Sequence, residues 1–151
     1  MAINSIREQI LVYHKRNILE KISSISYVIR TMPDYSALQQ FAVTQFPLVA
    51  MVGKLRVPKE KMSSRDRSKV DIIISELSID NFVYLQTRED QDTVISNIVD
   101  DFWAKCYSLP DYGGLALGTL LEVSEDVIQY DPFVAFKLTS LVTYKHTTGG
   151  I

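Results

Sequence analysis

A single cysteine in 151 residues excludes an internal disulfide and any zinc site built from several thiolates. The two histidines, His14 and His146, stand far apart and offer no pair at metal-ligand spacing, so no metal or cofactor is expected. No apolar run approaches the ~18 residues of a membrane span, so no membrane association is expected. The opening residues, MAINSIREQILVYHKRN, lack the basic-then-apolar order of a secretory signal. With six glycines and five prolines, the chain shows no repeat and no low-complexity segment. There is no surplus of positive charge either. Sixteen Lys and Arg stand against eighteen Asp and Glu, a net −2, which excludes a bulk polycation for nucleic acid. What is present is ordinary for one globular domain: 46% hydrophobic and 23% charged residues, enough to bury a core without a covalent staple. The reading is of a single domain over 1–151 in a reducing cytosol.

Apolar periodicity supplies the elements. Residues 3–22 read as a helix, with Ser5 and Glu8 as a capping box. Its stripe is imperfect, because Arg7, His14 and Lys21 fall near it. Residues 25–31 alternate as a half-buried strand that places Ile25, Tyr27 and Ile29 inward. A short helix is expected over 34–42 and a strand from Phe46 to Val52, with Pro47 at its start. Residues 70–86 are strongly strand-like, either one long bent strand or a hairpin turning at Asp80-Asn81. Residues 88–108 form the clearest helix, with Val94, Ile95, Ile98, Val99, Phe102 and Cys106 on one stripe. The last third reads as strands: 117–123, a short one at 127–129, and a long amphipathic one through Val134–Tyr144. Residues 147–151 read as a tail. The fold class is α+β, a single mostly antiparallel sheet with two main helices packed on it.

One stretch changes character. Residues 54–69 carry Lys54, Arg56, Lys59, Lys61, Arg65, Arg67 and Lys69 against Glu60 and Asp66, a local +5 that leaves −7 on the rest. This is expected to be an exposed basic loop or hairpin tip, either merely solvated or in contact with an acidic protein surface or phosphates. No aromatic is interleaved, which disfavours stacking on single-stranded bases. The acidic residues Glu89, Asp90, Asp92, Asp100 and Asp101 cluster on one helix and read as a solvated face with a favourable helix start, or else as an acidic surface facing a partner or a channel.

Catalytic chemistry finds no support. Cys106 continues an apolar helical stripe near Asp100 and Asp101, the opposite of the electropositive setting that activates a thiol. Gly113, Gly114 and Gly118 follow a helix and precede a strand, the reverse of the order a phosphate loop needs. No catalytic residue is assigned, and the chain is expected not to be an enzyme.

The element order resembles phage tail terminator proteins, the minor tail protein U-like or tail-completion family, over nearly the whole chain. The resembling pieces are the helix ending in NILEKI, the strand ISYVIRTM, the strand FPLVAMVG and, after the charged excursion, KVDIIISELSI. The helix DTVISNIVDDFW and the ending EVSEDVIQYDPFVAFKLTSLVTYKH complete the pattern. The resemblance implies a small non-enzymatic α/β sandwich that forms a ring, most often of six subunits. Such a ring caps the tail tube and joins it to the head-completion or connector protein. Relatives in contractile tails also hold the last sheath ring. DNA would be a non-specific passenger through the lumen, and the location would be the virion neck, reached from the host cytoplasm during assembly. A head–tail adaptor or head-closure ring of the same neck is the alternative, and a non-specific nucleic-acid-binding module using the basic loop is the second.

Overall fold

A computed structural model describes residues 5–54, 57–62, 72–86, 91–123, 128–130 and 132–147. Seven strands form one mixed sheet: β1 (Tyr27–Ile29), β2 (Leu48–Gly53), β3 (Val57–Met62), β4 (Ile72–Gln86), β5 (Gly118–Val123), β6 (Ile128–Tyr130) and β7 (Phe133–Thr147). The order is β1-β2-β4-β7-β5, with β3 beside β4 and β6 beside β7. All pairs are antiparallel except β1 with β2, so the fold is α+β with a mostly antiparallel sheet.

The centre is the ladder between β4 and β7. Fifteen residues of each strand pair without a shift, from Ile72 opposite Thr147 to Gln86 opposite Phe133. This settles the choice left open at Asp80-Asn81. Both residues lie in register inside one strand, opposite Thr139 and Leu138. Thr147, expected to begin a tail, is the last residue of β7.

Side chains alternate across the sheet, so each strand serves two faces. Val49, Met51, Leu77, Ile79, Val83, Leu85, Val134, Phe136, Leu138 and Val142 face one way and form the main core. The two main helices, α1 (Ile6–Tyr13) and α3 (Gln91–Ser108), cover that face with Ile10, Leu11, Ile98, Phe102 and Cys106. Leu48, Ala50, Tyr84, Phe133 and Ala135 face the other way, against Leu38 of the short helix α2 (Tyr35–Gln40). A parallel strand pair requires a crossover, and α2 lies in the one between β1 and β2.

Three sequence expectations shift. The first helix is not uniform over 3–22. After α1, capped by the Ser5 hydroxyl accepting from the Glu8 N–H at 3.1 Å, residues 14–18 form a π turn and 19–21 a 3₁₀ turn. The wider turn shifts the helical phase. That shift brings His14, Ile18 and Leu19 all into the core, which explains the imperfect stripe. The first strand shortens to Tyr27–Ile29, and Tyr27 is exposed while Val28 and Ile25 pack on the main core. The basic stretch is not all loop, because Val57–Met62 pairs with β4 as a hairpin arm bearing Lys59 and Lys61. The sequence VPKEKM has no apolar alternation, so periodicity could not announce that strand.

Candidate functional site

Two regions stand out: a buried polar cluster under α1 and α3, and the unlike edges of the sheet.

The cluster is built from distant parts of the chain. His14 is fully buried. Its Nε2 lies 2.9 Å from Asn81 Oδ1, and its Nδ1 lies 2.7 Å from the Tyr112 hydroxyl. Asn81 Nδ2 donates to the Leu138 carbonyl at 2.9 Å, which leaves Oδ1 free to accept. The ring is therefore the neutral Nε2–H tautomer: Nε2–H donates to Asn81, and Nδ1 accepts from Tyr112. Tyr112 stacks on His14 with 7° between the planes, and Phe102 meets the ring edge-on. Burial lowers the His14 pKa to about 4, opposed by the Asn81 hydrogen bond. Burial also holds the Tyr112 phenol well above its ordinary value. Tyr112 has a left-handed backbone, φ 51, followed by Gly113 and Gly114 at φ 67 and 93. The two glycines adopt this region freely, whereas a tyrosine does so at a cost that its ring packing and hydrogen bond offset.

Cys106 is buried beside this cluster, and burial pushes its thiol up to about 12, with Ser140 opposing. At neutral pH it is a thiol with no thiolate to attack. A disulfide reagent at pH 8 is expected to label no cysteine in the folded chain and one after denaturation. Rapid native labelling would overturn the placement.

An apolar cleft of about 260 Å³ is lined by Val43, Phe46, Pro47, Leu85, Gln86, Gln91 and Val94. Among the described residues no titratable side chain lines it. Among the described residues no three His, Cys, Asp or Glu side chains gather as metal ligands, and no helix is long and apolar enough to cross a membrane.

The charged surface candidates separate. Asp92, Asp100 and Asp101 are exposed on α3, and Asp101 accepts from Ser24 at 2.8 Å. Lys54 is partly committed within the chain, since its Nζ lies 3.1 Å from the buried Asp80 carboxylate, which also accepts from Thr139. Lys59 and Lys61 lie on β3. Arg56, Arg65, Arg67, Lys69, Glu89 and Asp90 lie outside the described residues.

The flanks of α3 can be told apart. Asp101 faces Ser24, next to the turn that follows α1, and Arg7 of α1 donates to the Gly53 carbonyl at the end of β2. At 100° per residue, Trp103 lies on the flank opposite Asp101, and Asp92 and Tyr107 share that flank. α3 also packs against β5, so this flank overlooks the β5 edge. Trp103, Tyr107, Leu117 and Leu120 are all exposed, Leu120 at 60%. Glu122 is exposed on the same strand. Leu121 packs on the core beneath α3, so Leu120 and Glu122 look to the other face of the sheet from Trp103 and Tyr107. Sequence reading missed these exposed side chains, although Trp103 could have flagged its flank, since it lies off the stripe of Ile98, Phe102 and Cys106.

No protein-family model matches this sequence, and a comparison with curated proteins finds no match.

Proposed function

We propose that this chain is a structural subunit of a phage tail, a terminator that forms a ring on the tail tube and joins it to the neck. The supporting observation is the pair of unlike surfaces on opposite sides of the sheet. The β3 side carries lysines in a +5 stretch. The β5 side carries exposed apolar groups with Asp92 and Glu122. A cyclic ring is built from heterologous contacts, in which one surface of a subunit meets a different surface of the next. Unlike, complementary sides suit that arrangement. In this reading the chain performs no catalysis, and its partners are further copies of itself, the tail tube protein and the connector protein.

Negative-stain electron microscopy of the purified protein, alone and mixed with tail tubes, tests the reading. Closed rings seated at one tube end are expected. Monomers that ignore the tube would overturn it. A second expectation concerns the basic stretch. Replacing Lys59, Lys61, Arg65 and Arg67 with serine should abolish ring or tube binding and leave the unfolding midpoint unchanged. Assembly that survives the fourfold change would remove the charge from the account.

A further inference from the structure

We infer that the turn after α3, residues 109–117, is an acid-released latch. When His14 takes up a proton, Tyr112 lets go of it and the turn opens, while α3 and the sheet stay folded. The latch lies inside one copy and does not depend on the ring reading above.

Three observations carry it. The first is the surroundings of the imidazole. His14 is fully buried, with Asn81 on β4, Phe102 on α3 and Tyr112 around its ring. Beside Tyr112 lie Tyr13 of α1, Cys106 of α3 and Ser140 of β7, two hydroxyls and a thiol that gain no negative charge in acid. Asp80 precedes Asn81 but faces the other side of the sheet with Lys54, and Asp111 is exposed. Among the described residues no carboxylate meets the ring, so an imidazolium there requires water. The second is which wall can move to admit it. Asn81 pairs with Met51 on one side and Leu138 on the other, in the middle of the sheet. Phe102 lies inside the eighteen-residue α3. The segment of His14 itself brings Ile10, Leu11, Ile18 and Leu19 into the core. Tyr112, by contrast, stands in a three-residue turn whose other members are Gly113 and Gly114. Short turns of this kind open at lower free energy than core strands and helices. The third is strain. At φ 51 Tyr112 holds a backbone conformation that a bulky residue adopts at a cost. Its ring, stacked on His14 and 5.6 Å from Tyr13, and its 2.7 Å hydrogen bond to His14 Nδ1 keep it there. A proton on Nδ1 removes the lone pair that accepts from Tyr112, so one event both calls for water and frees the strained residue.

Amide hydrogen exchange of the full chain, read by NMR at pH 7 and pH 4 as protection relative to a free amide at the same pH, tests it. The Gly114 and Ala116 amides report on the turn, because both donate to the Asp111 carbonyl, at 3.0 and 2.8 Å. The buried Val83 on β4 and Ile98 on α3 serve as controls. Protection of the turn is expected to fall at least tenfold from pH 7 to pH 4, and at pH 4 to stand at least tenfold below that of both controls. His14→Gln should remove the pH dependence of the turn. Tyr112→Phe, which keeps the ring and loses the hydroxyl, should lower turn protection already at pH 7. Equal turn protection at the two pH values would overturn the latch. So would one shared protection for turn and controls at pH 4, which marks unfolding of the whole chain. A turn that opens in acid to the same extent in His14→Gln would overturn the part given to His14. Where that variant does not fold, a Tyr112→Phe turn as protected as the parent at pH 7 would overturn the inference instead.

Discussion

Lowering the pH from 6.5 to 4 is expected to cost this fold about 3 kcal/mol through His14 alone. The ring titrates at its ordinary 6.5 in the unfolded chain and at about 4 in the folded one. Between those values the unfolded chain binds a proton that the native state does not. Stability therefore falls as the pH drops through that window, by ~1.4 kcal/mol for each unit of separation, and this contribution is fully present above pH 6.5. The structural cause is that the cluster holds no charge to receive an imidazolium. The groups facing the ring are Asn81 on β4, Tyr112 in the turn after α3, and Phe102 on α3. A proton on Nδ1 would meet a hydroxyl that already points its own hydrogen at that nitrogen. Urea unfolding across pH 4 to 7 measures the effect, with His14→Gln as the reference. That variant is expected to be less stable at pH 7 and to have a flatter profile. Parallel profiles for the two proteins would assign the acid sensitivity elsewhere, with the exposed pair Arg30 and Glu8 as the next group to test, since Arg30 holds that carboxyl below its usual value.

Phe102→Ala and Trp103→Ala are expected to part company despite being neighbours. Phe102 is fully buried beside His14, so its truncation removes apolar burial and leaves a cavity, a loss of ~3–5 kcal/mol. That is a large share of the ~5–15 kcal/mol typical of a domain. Trp103 is 40% exposed on the outer flank. Its replacement should leave the unfolding midpoint nearly unchanged and weaken assembly. Thermal or urea unfolding reads the first effect, and ring or tube binding reads the second. A Trp103→Ala protein that assembles normally would detach α3 from the contact.

The contrast marks what a reading of periodicity can and cannot reach. The strands β4 and β7 and the helix α3 were legible because their apolar residues recur at two or at three to four over many turns. The α+β class followed from fitting those faces together. The turn glycines at 113 and 114 were legible from composition, and both have positive φ. The His14 cluster was not legible. Tyr112 lies 98 positions from His14 and Asn81 lies 67, so no local window contains the pattern. The π turn that aims His14 inward breaks the very period used to find helices. The strand β3 was hidden for another reason. Its identity comes from pairing with β4, whose apolar pattern is strong, and not from its own lysine-rich sequence.

The long ladder at the centre of the sheet also fixes when the fold can form. β4 is bordered along its whole length by β7, and the closest pair in that ladder, Gln86 with Phe133, encloses α3, β5 and β6. Closing such a loop has an entropic cost, and folds dominated by distant pairings form slowly. On the ribosome β4 would emerge early with Leu77, Ile79, Val83 and Leu85 on one side and no partner for its central edge. Every element between β4 and β7 must be synthesised before the sheet can close. A chain interrupted anywhere ahead of Phe133 lacks β7, and with it the strand that borders β4 and the one to which β5 and β6 are paired.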